Sequence, residues 1–251
     1  MKVSLIIPVY NEARHLLEFL QRIDALELGV PKELVIVNDC STDGTTELLK
    51  EFFFASTCQL IHLPHNQGKG AAISVGIGLA LGEVIGIQDA DFEYDMRDIS
   101  ALIRPLLDDR AEVVYGSRYK KSGGQVHRTY HYLINRFLTF LSNICSGLYF
   151  TDMETCYKFF KREVITNINL ESKRFGFEPE ITAKLSRLKL RIFELPISYF
   201  PRSTLQGKKI SWRDGVAAIW HILYFNFVAR PSTYLKPGID PRFLPGPGHW
   251  L

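Results

Sequence analysis

Five short β-branched runs, separated by helical patterns, constrain this chain more than any other feature. "VSLIIPVY", "LVIVND", "QLIHLP", "EVIGIQDAD" and "EVVYGSR" read as strands. Between them, Glu12 to Ala25, Thr45 to Phe54, Gly68 to Leu81 and Asp98 to Leu107 carry apolar residues at helical spacing. The strands are nearly continuous in hydrophobicity, as when helices cover both faces of a parallel sheet. With 251 residues, 46% of them hydrophobic, the chain can bury a substantial core, as one large α/β domain or two small ones. The expected fold is α/β, a mainly parallel doubly wound sheet flanked by helices, and residues 1–118 form its first half.

The second half, 119–215, reads differently. Residues 126–150 carry an aromatic-rich helical pattern and 178–189 another, followed by strand-like "RIFELPISYF" and the basic loop "PRSTLQGKKISWRDG". An apolar helix over 216–230 comes next. The tail from 231 to 251, with "KPGIDPRFLPGPG", is dense in Pro and Gly and reads as extended or disordered. The four cysteines show no CxxC spacing, which suits reduced thiols in a cytoplasmic protein. Asn11 and Glu12 interrupt the N-terminal apolar run too early for a signal peptide. The stretch Gly215 to Ala229 falls short of the roughly 18 apolar residues of a spanning helix and contains His221 and Asn226, so no membrane span is expected. A net charge of +3 does not suggest a nucleic-acid binder.

In open parallel sheets, ligands bind outside the carboxyl ends of the strands. Asn11 and Glu12 follow the first strand, Asn38 and Asp39 the second, and Asp89 to Asp91 the fourth. Each acid alone could cap the helix after it; three together favour a shared site. Asp89 and Asp91, flanking Ala90, project to the same side of an extended segment. Like charges so close need a cation or hydrogen-bond donors. A hard divalent ion, Mg²⁺ or Mn²⁺, would suit them and would neutralise a diphosphate leaving group. No GxGxxG follows the first strand, and "HNQGKGAA" is not a P-loop. Its Gly68 and Gly70 either bring backbone to a ligand with Lys69 near phosphate, or form a plain turn into a helix.

"SLIIPVYNE", "VIVNDCSTDGT", "HNQGKGAA", "QDADFEYD" and "VYGSRY" together resemble, in order and spacing, the inverting family 2 glycosyltransferases of the GT-A fold. "TDMETCYKFF", "FGFEPEITAKL" and "PRSTLQGKKISWRDG" resemble the dolichyl-phosphate mannose and glucose synthase branch. The likeness spans roughly residues 3 to 215. It implies a GT-A domain over 1–215 and a UDP- or GDP-sugar donor. Pro8, Tyr10, Glu12 and Asp39 would hold base and ribose, with Lys69 and Ala90 near the nucleotide. Asp89 and Asp91 would bind diphosphate through the metal, Asp91 among the catalytic groups. Arg118 and Arg202 match basic positions near the donor and acceptor phosphates. Glu93 stands where many polyprenyl-phosphate mannose synthases carry Gln.

Charge bears on the acceptor. Arg118 to Arg136 holds five Lys or Arg and no acid, and Thr182 to Gly215 holds eight against Glu194 and Asp214. Arg118, Arg128, Arg136, Arg202, Lys208 and Lys209 could form an anion site for a polyprenyl phosphate. Aromatics bordered by cations in 126–150 and in the C-terminal helix suit either core packing or a membrane interface, as in a peripheral enzyme on the inner membrane face. A phosphate acceptor needs no general base, whereas a sugar hydroxyl acceptor does. Asp152 lies where hydroxyl-using relatives place a catalytic Asp, or else caps a following helix. Glu178 and Glu180 read as helix N-terminal acids. The alternatives are transfer to a hydroxyl in envelope polysaccharide or glycolipid synthesis, and an inert binding module. Oligomeric state is not legible.

Overall fold

The computed structural model describes residues 1–120, 129–174, 176–201 and 212–245. Strands β1 (Val3–Val9), β2 (Lys32–Asn38), β3 (Thr57–His62) and β4 (Val84–Ile87) alternate with α1 (Ala13–Ala25), α2 (Thr45–Glu51) and α3 (Lys69–Leu79). A 3-10 turn and α4 (Ile99–Leu107) lead to β5 (Val113–Ser117). Then come α5 (Thr129–Ser146), β6 (Lys158–Lys161), α6 (Arg162–Ile165), α7 (Phe177–Leu185), β7 (Ile192–Pro196), α8 (Trp212–Phe227) and α9 (Pro231–Tyr234). Parallel neighbours require a crossover, and the helices supply it.

The seven strands form one sheet in the order β3-β2-β1-β4-β6-β5-β7. Val3, Leu5, Ile6, Ile7, Leu34, Val35, Ile36, Val37, Ile85 and Ile87 are fully buried, which explains their unbroken hydrophobicity. On α1, Leu16, Phe19, Leu20 and Ile23 recur at helical spacing and are the buried residues. The parallel reading holds for β1 through β4 and for β5 with β7. The exception is β6, "KFFK", which runs antiparallel between β4 and β5. Four residues entered from a loop leave little periodicity, so sequence reading passes over it.

Two expectations are corrected. The strand-like stretch after Arg191 ends at Pro196, and beyond it Tyr199 makes an isolated bridge to Tyr94. The tail is not extended over its described part. Tyr234, Ile239 and Phe243 are buried, Leu235 bridges Ile168, and the Lys189 N–H donates to the Phe243 carbonyl at 2.8 Å. Its aromatic and aliphatic residues drive this packing despite the prolines.

A second, smaller core joins α5 and α8 through Leu138, Met153, Ala218 and Ile222. Among the described residues, no helix is long and apolar enough to cross a membrane.

Candidate active site

The carboxyl ends of β1, β2 and β4 are latched into one edge. The Asp39 N–H donates to the Val9 carbonyl at 2.8 Å and the Gln88 N–H to the Ile6 carbonyl at 2.9 Å. Asn11, with φ of 51°, donates its N–H to Ser41 Oγ and accepts from the Thr42 N–H at 2.8 Å. None of α1, α2 and α3 has a side-chain cap at its N-cap residue. The residues that follow β1 and β2 stand side by side at one sheet edge, since the two strands pair in parallel through Val9 and Asn38. Pro8 lies half-buried on β1 and Tyr10 is exposed at its end.

The Asp39 carboxylate accepts the N–H groups of Gln67 and Gly68, each at 2.7 Å. It thereby shapes the loop that delivers Lys69. Gly68 has φ of 94°, where L side chains are strained. Gly70 touches the segment before α7 so closely that a Cβ would lie 2.1 Å from the Ser172 carbonyl oxygen. The N–H groups of Gly70 and Ala71 donate to the carbonyls of Arg174 and Lys173 at 3.2 and 3.1 Å. The chain's own carbonyls thus occupy these α3 donors, and Lys69 is what the turn presents.

The Lys69 ammonium lies 2.9 Å from Asp89 Oδ1 and 3.4 Å from Glu178 Oε1. Burial draws its pKa down, but Asp89 and Glu178 reverse this and hold it well above the ordinary lysine value. Asp91 accepts the Glu93 N–H at 3.0 Å. Tyr199 Oη donates to Glu93 Oε2 at 3.0 Å, which ties this acid to the loop after β7. Glu178 and Glu180 stand in the first turn of α7. Asp89 and Asp91 offer hard oxygen donors, yet among the described residues no cluster of three or more His, Cys, Asp or Glu forms a metal cage. Such a pair fits a divalent ion whose remaining positions are filled by substrate phosphates.

On the other side of the site, Arg118 at the end of β5 grips Asp152. Nε lies 2.7 Å from Oδ2, Nη2 lies 2.7 Å from Oδ1, and the Arg118 N–H donates to Oδ2 at 3.0 Å. Arg118 is nearly buried and Asp152 fully so. Burial opposes the Arg118 charge, but Asp152 outweighs it and its pKa rises. No helix follows Asp152, so the capping alternative is corrected: the chain turns directly into β6. Arg136, exposed on α5, reaches the Thr151 carbonyl at 3.4 Å. Arg128, Arg202, Lys208 and Lys209 lie outside the described residues.

The "TDMETCYK" segment links the two sides. Its far end places Cys156 against Asp89, and burial first, then that carboxylate, push the thiol pKa well up. The pattern matching residues 4–168 is that of glycosyl transferase family 2. The chain belongs to that family. It is 30% identical over 224 residues to a dolichyl-phosphate beta-glucosyltransferase of Trichomonas vaginalis, covering 83% of this chain and 68% of that one. It is also 30% identical over 228 residues to an undecaprenyl-phosphate mannosyltransferase of Micrococcus luteus, covering 87% and 92%. The fold is that of the GT-A glycosyltransferases. Glucosyl-3-phosphoglycerate synthase from Mycobacterium tuberculosis, crystallised with Mn²⁺, UDP and phosphoglyceric acid, superposes with a TM-score of 0.67 at 17% identity, over 91% of this chain and 80% of that one. This glycosyltransferase also contains site groups that sequence reading did not single out: Glu154, Cys156, Lys158 and Tyr199. A lysine inside a buried strand was the available signal for Lys158.

Proposed function

We propose that this glycosyltransferase moves a sugar from a UDP- or GDP-sugar onto a polyprenyl phosphate, with inversion at the anomeric carbon. The observation that carries this reading is the state of Asp152. Both its oxygens accept from Arg118, so the position suited to a base for a hydroxyl acceptor presents a cation instead. Arg118, with Arg136 close by, suits an acceptor that is already anionic. The names of the relatives support the same acceptor class.

Asp89 and Asp91 would hold Mg²⁺ or Mn²⁺ together with the donor phosphates, and the ion when bound supplies charge neutralisation for the diphosphate. Lys69 has Glu178 as a second partner when Asp89 turns to a cation. An acceptor phosphate oxygen attacks the anomeric carbon from the face opposite the diphosphate. The new C–O bond forms as the bond to the diphosphate breaks, and no proton need be removed.

A lipid acceptor needs a surface to arrive on. Leu133, Phe137, Phe140 and Ile144 on α5 and Val216, Trp220, Leu223 and Phe227 on α8 are exposed at matching helical spacing. These two stripes on adjoining helices support peripheral attachment to a membrane interface. Purified protein should transfer labelled sugar from one of a panel of UDP- and GDP-sugars to a short polyprenyl phosphate, giving an organic-extractable product that EDTA abolishes. Metal-dependent transfer only to a sugar hydroxyl would reject the reading. Paired Phe140→Ser and Trp220→Ser changes should reduce sedimentation with anionic vesicles while leaving transfer to the short-chain acceptor intact.

A further inference from the structure

The segment from Thr151 to Cys156 runs from the Arg118 side of the site to the Asp89 side, and it is held at several points along its length. The N–H groups of Thr151 and Asp152 donate to Glu194 Oε1 at 2.8 and 3.0 Å. The Met153 N–H donates to Thr139 Oγ1 at 3.1 Å, and the Cys156 N–H to Tyr94 Oη at 3.2 Å. Lys158, buried beneath the Tyr115 ring, donates its ammonium protons to the carbonyls of Met153, at 2.9 Å, and Thr155. Met153 also anchors the segment in the small core between α5 and α8.

Glu154 sits at the centre of this segment. Its Oε1 is buried and has no hydrogen-bond partner among the described residues. Arg118 and Lys158 attract its charge, while Glu178 and Asp152 repel it. A buried acceptor without a donor costs stability, and one held in so rigid a frame calls for an explanation. The Thr155 hydroxyl also lacks a partner, but that residue is fully buried, whereas Glu154 is only half-buried. Burial first, and then Glu178, push the Glu154 carboxyl up to about 7. Hydrogen bonds donated to it would favour its charged form.

We propose that the Glu154 carboxylate accepts hydrogen bonds from hydroxyls of the transferred sugar and helps decide which sugar the enzyme accepts. This inference rests on the reading given under Proposed function. There the sugar must lie between a diphosphate at Asp89 and Asp91 and an acceptor phosphate at Arg118. Glu154 stands midway along the segment that joins Cys156, against Asp89, to Asp152, on Arg118. A site that uses a buried acceptor to bind a hydroxyl strongly rejects an analogue lacking that hydroxyl.

The test compares calorimetric affinities of UDP, GDP, UDP-glucose, UDP-galactose, GDP-mannose and monodeoxy analogues of the best donor, for the native protein, Glu154→Gln and Glu154→Ala. The free nucleotide should bind all three proteins within about twofold of one another. The preferred nucleotide-sugar should lose about tenfold or more in Glu154→Ala, and one monodeoxy analogue that the native protein rejects should cease to be distinguished. Unchanged ratios of sugar-nucleotide to nucleotide affinity, with unchanged discrimination, overturn the proposal. So does a fall in kcat at constant donor KM with loss of an acid limb in the pH–rate profile, which would make Glu154 a proton acceptor. Native protein that binds none of the sugar-nucleotides would instead defeat the donor reading and this inference with it. Glu154→Gln should melt no lower than the native protein, since it removes an unpaired charge.

Discussion

The two sides of the site hold their charges in different ways. On the β1–β4 side, Asp39 is buried but satisfied by backbone N–H groups, and Asp89 pairs with Lys69, both of which keep about a fifth of their side-chain surface exposed. On the other side, charge is paired and buried. Arg118 with Asp152, and Lys184 with Glu180 at 2.5 Å and no exposure of either side chain, form parts of the core. Opposite charges in a dry interior become costly as soon as one partner is lost. Chemistry and fold are therefore separable on the first side and coupled on the second.

Breaking this contrast is the most direct test of it. Asp91→Ala should lower transfer by about 10²-fold or more, with a smaller loss of stability than Arg118→Ala, because Asp91 is only partly buried and accepts the Glu93 N–H instead of closing a buried ion pair. Radiolabel transfer and urea unfolding on one preparation check both. Arg118→Ala should abolish transfer and also destabilise the fold by about 3–5 kcal/mol, since Asp152 is left buried and unpaired. A double Arg118→Ala, Asp152→Ala variant should recover part of that stability but not the activity. If Arg118→Ala unfolds at the native urea midpoint, the coupling does not exist.

Smaller effects sharpen the comparison within single elements. Gly70→Ala should cost about 1–3 kcal/mol, because backbone at Ser172 and not a flexible side chain stands in the way. Gly78→Ala, on the same α3 helix with open space around it, should stabilise by about 0.5–1 kcal/mol. Thermal melts of the two should move in opposite directions. Glu154 titrates higher in the folded chain than its ordinary value near 4.5, at about 7. The folded state then binds more protons than the unfolded one across that window, so this group lowers stability as pH rises through it. Glu154→Gln should match the native protein below about pH 4.5 and gain relative stability as pH rises to about 7.

Much of the donor side was legible. The runs that became β1, β2, β4 and β5 were bounded within a few residues, and the acids at their ends meet at one sheet edge, because parallel topology leaves their carboxyl ends together. The Gly68-Lys69-Gly70 turn left two readings open. The donors at the start of α3 are taken by carbonyls of residues 173 and 174, distant in sequence, and no local pattern reports that. The same holds for β6, too short for a period, and for Asp152, whose partner lies 34 residues away. Proline content misjudged the tail, where Tyr234, Ile239 and Phe243 find apolar cover.

By itself the sequence determined the α/β class and the family, and it pointed to Asp89 and Asp91 as acids suited to a metal, because strand period, β-branching and ordered motifs are local properties of the chain. Tertiary structure alone decided that Asp152 is the partner of Arg118, that Lys69 answers to Asp89 and Glu178, and that Glu154 Oε1 has no donor among the described residues. Each of those depends on burial and on which remote group a charge meets. Both are set only when β6 joins β4 to β5 and the segment before it is packed between them and the helices.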